Sequence, residues 1–316
     1  MLRDERLENQ LDATAVDLHK STPGVSKTLL FLVLTAGLMV GFWKPLRDLV
    51  SLSVQNEEYS HLVLIPAMIV CLLYWERRKI FLNPNYSVGA GELALLAAII
   101  VSGVAIGYLA HLRAKSHLFL AILSLVVLWA GGFLLCYGVQ AFRAAGFPLR
   151  FGLLMVPLPR LMMDNPIEII QRGSADVANL LFNLAGIPVF RDGMKFSLRG
   201  LDMEVARQCS GIHSSIALFV LSLIIGHFYL KSGWKKVLLS LAVFPIISVT
   251  NGLRIFSVSY LSAYVSMSFM TGDLHRKGGV LFFLLGLILL AVLVRLLRPR
   301  EQRRSAQAHP VSASGK

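Results

Sequence analysis

Residues 117–138 read HLFLAILSLVVLWAGGFLLCYG, a run without a single Asp, Glu, Lys or Arg. A bilayer core needs about 20 such residues per helix, so the stretch reads as a membrane span. Similar runs lie on both sides of it. Spans are expected at about 28–43, 61–75 and 93–110 before it, and at 147–163, 212–230, 236–253 and 279–297 after it. The fold expected is an all-α polytopic membrane protein with about eight transmembrane helices. Eight spans take up about 160 residues, roughly half of the chain. The span at 147–163 is interrupted by Pro148, Arg150, Pro157, Pro159 and Arg160.

Composition agrees. The chain has 316 residues, 55% apolar and 16% charged, against about 25% charged in ordinary soluble domains. Mean hydropathy is +0.65. A disordered chain, a collagen and a disulfide scaffold are excluded, and a soluble enzyme is disfavoured. The net charge of +13 would suggest nucleic acid in a soluble protein. Here the positive residues mark span ends that face the cytoplasm, and no nucleic-acid partner is expected. Cys71, Cys136 and Cys209 form no C-x-x-C, and no H-E-x-x-H occurs. Neither a metal nor another cofactor is expected. Cys71 and Cys136 lie inside apolar runs and read as inert packing residues. The polar first 27 residues do not read as a cleavable signal peptide.

The positive clusters set the orientation. Arg77, Arg78 and Lys79 follow span 2, Lys231, Lys235 and Lys236 separate spans 6 and 7, and Arg295, Arg298, Arg300, Arg303 and Arg304 follow span 8. All three should be cytoplasmic, with both termini inside and the charge-balanced loop 44–60 outside. Parity then demands a crossing at 147–163. It also makes the Ser-rich stretch 255–270 an interfacial or re-entrant helix on the outer face. The organisation expected is a cytoplasmic segment 1–27, a membrane domain 28–297 and a basic cytoplasmic tail 298–316. Within the membrane domain, 164–210 forms an outer-face region. It should hold an amphipathic helix that starts at Asp164 or Asn165 with Pro166 in its first turn and stops at Gly186. Short strands follow, alternating through Met194, Phe196 and Leu198 and through Leu201, Met203 and Val205, with turns at Asp192-Gly193 and Arg199-Gly200.

Ionisable residues at span ends are functional candidates in a bilayer protein. Three fall on the outer face. Cys209, in Gln208-Cys209-Ser210-Gly211-Ile212-His213-Ser214-Ser215, precedes an apolar helix whose positive dipole end favours a thiolate. Gly211 beside it leaves room for a substrate backbone. The other reading of Cys209 is a small structural thiol. Arg254 shares a helix face with Asn251, three residues earlier. Its guanidinium suits an oxyanion or a carboxylate, or else serves as a snorkelling anchor. His275, in His275-Arg276-Lys277-Gly278-Gly279, titrates in the range needed to exchange a proton with a thiol, or is an interfacial loop histidine. His61 and His213 fall on the same face.

The order Cys-Ser-Gly-Ile, Asn-x-x-Arg, His-x-x-Gly-Gly, each tied to a span, resembles the exosortase/archaeosortase family of multi-pass membrane cysteine transpeptidases. Tyr59-Ser60-His61, Val156-Pro157-Leu158-Pro159, Gly186-Ile187-Pro188-Val189 and Glu204-Val205 resemble further family motifs, so the likeness runs from about residue 57 through most of the chain. The resemblance implies substrates that are exported proteins ending in a Pro-Glu-Pro-like motif, a transmembrane helix and a basic tail. They are cut near the motif and passed to an acceptor, such as a surface glycan or lipid. It further implies Cys209 as nucleophile, Arg254 as transition-state or thiolate stabiliser and His275 as proton carrier. Asn251, Gly211, Ser210, His213 and His61 would be supporting or substrate-binding residues. His213 stands where relatives often have arginine. Archaeal relatives can carry arginine in place of the histidine, so His275 implies a bacterial inner membrane, with the active site facing the periplasm. The competing class is a transporter or polysaccharide-export component without peptidase activity. That class calls for paired broken helices around midplane polar residues, whereas the interruptions here gather in span 5.

Overall fold

Apolar runs become helices almost wherever the sequence has them. The computed structural model describes residues 25–81, 90–112, 117–198, 201–205, 212–266 and 273–298. The described residues are mostly helical with one small sheet, and the chain divides into two compact units, Met1–Pro159 and Arg160–Lys316.

The first unit contains α1 (Val25–Gly41), α2 (Trp43–Gln55), a 3-10 segment (Glu57–Val63), α3 (Leu64–Trp75), α4 (Arg77–Phe81), α5 (Ala90–Leu112), α6 (His117–Ala144) and α7 (Gly146–Phe151). A second 3-10 turn, Gly152–Met155, follows α7. Helix α6 contains the expected span 117–138. Gly138 breaks its helical geometry with φ +80, at the residue where the apolar run was expected to end. Close packing of α5 on α6 depends on small residues, as in other membrane helix pairs. A Cβ on Gly103 would lie 2.7 Å from Leu128, and Ser124 Oγ donates to the Gly103 carbonyl at 2.6 Å. Phe31 of α1 packs edge-on against Phe133 of α6, with centroids 5.6 Å apart.

The second unit contains α8 (Arg160–Leu184), β1 (Phe190–Asp192), β2 (Lys195–Leu198), β3 (Leu201–Glu204), α9 (Ile212–Tyr229), α10 (Gly233–Tyr264) and α11 (Asp273–Leu297). The strands form an antiparallel sheet in the order β1-β2-β3, with Phe196 opposite both Arg191 and Met203. The alternation expected from the sequence is realised. Phe196 and Leu198 are buried against Ala175, Ala178 and Phe182 of α8 and Ile255 of α10. Leu218, Leu239, Val243, Ile247, Leu290 and Val294 join α9, α10 and α11 in a second core.

Among the described residues, four helices are long and apolar enough to cross a membrane: Glu58–Trp75, His117–Ala144, Gly233–Tyr264 and Gly279–Leu297. Helices α1 and α2 meet at 74° and make a fifth if taken as one broken span. The third and sixth expected spans carry shorter apolar helices, Leu96–Leu109 and Ser214–Tyr229. The expected count of eight is therefore not reproduced as eight long helices.

Four local expectations are corrected. Residues 147–163 do not form a span of their own. Helix α7 and the 3-10 turn end at Met155, the prolines hold 156–159 out of any helix, and α8 begins at Arg160. The amphipathic helix starts there rather than at Asp164, and Pro166 sits inside it. Pro166 is exposed, so the carbonyl its ring leaves without an N–H partner lies on an open face. The stretch 44–60 is mostly helical rather than a loop, broken only at the extended Asn56, and α2 buries Leu49 and Ser53 one turn apart while Lys44, Arg47 and Asp48 stay exposed. Residues 255–264 are no separate helix, because α10 runs unbroken to Tyr264. Its Ser259 donates to the Ile255 carbonyl one turn back, which lets a serine-rich stretch remain buried helix. Cys136 is buried as expected, whereas Cys71 is exposed on α3.

Candidate active site

The residues around Arg254 are arranged by two neighbours that face different sides of α10. Asn251 and Gly252 are adjacent on α10. Gly252 presses against α8, where a Cβ would lie 2.6 Å from Val177 and 2.8 Å from the Ser174 carbonyl oxygen. Only glycine lets the two backbones come this close. Asn251 instead lines a cleft on another side of α10.

Three helices line that cleft. Helix α9 contributes Ser214 and Leu218, α10 contributes Ile247, Thr250, Asn251 and Arg254, and α11 contributes Gly279, Phe282 and Phe283. The α10 set recurs every three or four residues, the helical spacing of one face. Asn251 is only 4% exposed. Its Nδ2 has no hydrogen-bond acceptor among the described residues. Thr250 Oγ1 donates to the Ile247 carbonyl at 3.2 Å, and Arg254 is partly exposed at the cleft.

At the opposite end of these helices lies a basic, aromatic rim. Lys235 is 5% exposed, and its Nζ donates to the Leu297 carbonyl at 2.8 Å. Arg298 lies over the Tyr229 ring at 5.5 Å, and Trp234 is exposed beside Lys235. Nineteen residues of α10 separate Lys235 from Arg254. At 1.5 Å per residue that is about 28 Å, close to the thickness of a bilayer's hydrocarbon core.

The sequence candidates distribute as follows. Asn251 and Arg254 line the cleft together, and Gly279 of the His-x-x-Gly-Gly motif joins them. His275 lies in α11 four residues before Gly279, about one helical turn. His213 is the second residue of α9. Cys209, Ser210 and Gly211 lie outside the described residues. His61 belongs to the 3-10 segment of the first unit. Leu218, Ile247, Thr250, Phe282 and Phe283 were not singled out in the sequence. Stepping back one turn from Asn251 along its face would have found Ile247, but apolar residues in apolar helices carry no other signal.

A family model described as transmembrane exosortase matches residues 52–292, about three quarters of the chain. The chain belongs to the transmembrane exosortase family. No curated protein and no solved structure matches it. Several stretches that carried the resemblance are structurally joined in this exosortase-family chain. Tyr59 of Tyr59-Ser60-His61 donates its hydroxyl to the Leu158 carbonyl at 2.8 Å, and so holds the Pro157-Leu158-Pro159 segment. Ser53 fixes the same turn by donating to the Tyr59 carbonyl at 2.9 Å. Gly186, at φ +67, ends α8, and the Ile187 N–H returns to the Phe182 carbonyl at 3.0 Å. Val205 is buried and held at both backbone groups. Its N–H donates to Met194 at 2.9 Å, and its carbonyl accepts from Gln171 Nε2 at 3.4 Å. The chain is thus anchored four residues before Cys209.

Proposed function

We propose that this exosortase-family protein is a membrane-embedded cysteine peptidase or transpeptidase acting at the outer face of a bacterial inner membrane. Its substrates are exported proteins that end in a Pro-Glu-Pro-like motif, a transmembrane helix and a basic tail. The observation that carries the reading is the cleft. Asn251 and Arg254, Gly279 and Ser214 come from three separate sequence motifs and meet at one end of the helical unit, about 28 Å from the basic rim. With that rim cytoplasmic by the positive-inside rule, the cleft lies at the outer surface. A substrate held by its own membrane helix presents its cleavage site at that surface.

The chemistry follows from the residue types. The Cys209 thiolate attacks the carbonyl carbon of the scissile peptide bond, and the π pair moves onto oxygen. Arg254 stabilises that oxyanion, an effect worth about 3–4 kcal/mol for one good donor. The C–N bond then breaks, and His275 delivers a proton to the leaving amine. The remaining thioester is resolved by water or by the amine of a surface acceptor. Position along the chain supports Cys209, which is five residues from Ser214 on the cleft wall. An extended chain of that length reaches at most about 18 Å.

The test is Cys209→Ala in cells that carry a sorting-signal substrate. The variant should accumulate in the membrane at the parent level while processing of the substrate falls to background. Processing at the parent rate removes Cys209 as the nucleophile.

A further inference from the structure

We infer that Asn251 is a second oxyanion donor, whose Nδ2 hydrogen-bonds the substrate's scissile carbonyl oxygen alongside Arg254. The inference rests on the peptidase reading above and adds to it a residue that touches the reacting atoms.

Buried polar groups in folded proteins almost always have partners. Asn251 lines the cleft, and its Nδ2 is buried with no acceptor among the described residues. Among the other cleft residues, Arg254 only donates. Leu218, Ile247, Phe282 and Phe283 have no polar side-chain atoms, and the hydroxyl oxygens of Ser214 and Thr250, which can accept, do not bond Asn251 Nδ2. The cleft offers donors from two adjacent turns of one helix in a largely apolar wall. What completes it must bring an acceptor.

A peptide carbonyl oxygen has two lone pairs and accepts two hydrogen bonds. Asn251 and Arg254 are three residues apart on α10, so they approach a bound group from one helix face. When Cys209 Sγ bonds to the carbonyl carbon, the oxygen takes up the π electrons and becomes an alkoxide. Both hydrogen bonds strengthen as that charge develops, without transfer of a proton from either donor. On collapse the double bond re-forms, the C–N bond breaks, and the amine leaves with the proton from His275. Asn251 is fixed in place before substrate arrives because Gly252, the next residue, locks α10 onto α8. A donor that does not reorganise contributes more to the transition state than a mobile one.

The test uses the full chain in detergent or liposomes with a synthetic protein substrate ending in a Pro-Glu-Pro motif, a membrane helix and a basic tail. Two rates are read: formation of the trapped Cys209 thioester, and alkylation of Cys209 by iodoacetamide, which attacks carbon without making an oxyanion. Asn251→Ala and the near-isosteric Asn251→Asp should slow thioester formation about 10²- to 10³-fold and leave alkylation within about twofold. Asn251→Ser, which keeps a short donor, should fall between. Thioester formation within about threefold of the parent in both Asn251→Ala and Asn251→Asp overturns the inference. So does a parallel loss of both rates, which would assign Asn251 to the fold or to the thiolate. Failure of the peptidase reading looks different: the parent itself forms no thioester, or Cys209→Ala still processes substrate.

Discussion

Lys235 and Asn251 are two buried polar residues on one helix, about 24 Å apart, and the protein treats them in opposite ways. The Lys235 ammonium is paired. It donates to the Leu297 carbonyl at the end of α11, where a cation also offsets the negative end of the helix dipole. The Asn251 carboxamide nitrogen is buried with no acceptor among the described residues, in a residue that lines a cleft. One end of the helical unit is finished by its own side chains, and at the other Asn251 Nδ2 is left without an acceptor among the described residues. On the proposed reading the same residue classes have different meanings at the two ends, structural at the rim and chemical at the cleft.

That contrast gives an ordered set of expectations. Arg254→Lys keeps the charge at the open end but loses the planar fork, and kcat/KM for substrate processing should drop roughly a hundredfold. Full activity would leave the cleft without its assigned chemistry. Gly252→Ala places a Cβ where α8 already stands, and thermal unfolding in detergent should show a loss of about 1–3 kcal/mol. An unchanged melting temperature would mean that α8 and α10 move apart freely. Lys235→Met at the finished end should cost about 1 kcal/mol of stability and leave the processing rate of the folded fraction unchanged. If that rate collapses while the protein stays folded, the division into a structural end and a chemical end is broken. Glu168→Gln removes an exposed one-turn pair with Arg172 on α8. It should shift stability by no more than about 0.5 kcal/mol, a baseline for changes that touch neither end.

Much of this organisation was legible in the sequence, and the exceptions have physical causes. Hydropathy located the runs that became α3, α6, α10 and α11, and the end expected for the span at 117–138 coincides with the break at Gly138. Period-two alternation located β2 and β3, and the inward residues of β2, Phe196 and Leu198, fill a core. Proline misled the reading of α8, because an exposed proline is tolerated inside a helix whose freed carbonyl faces outward. Serines misled the reading of 255–264, because a serine hydroxyl on a helix can be satisfied by the carbonyl one turn back, as Ser259 shows. At the site, Asn251 and Arg254 were legible by their polarity in an apolar run. The packing of Asn251 and Gly252 against different neighbours was not, since it depends on which helix packs where.

Helix α10 spans 32 residues, about 48 Å, while a hydrocarbon core is about 30 Å thick. On the proposed reading the surplus makes the helix a depth gauge. With its basic end at the inner boundary, Arg254 reaches the outer boundary and the remaining turns stand above it. A substrate anchored by its own basic tail is measured against the same thickness. Four residues added to the substrate's membrane helix would lift its scissile bond by about 6 Å, a full turn past the cleft. Selection would then depend on the length of the substrate's anchor as well as on its motif.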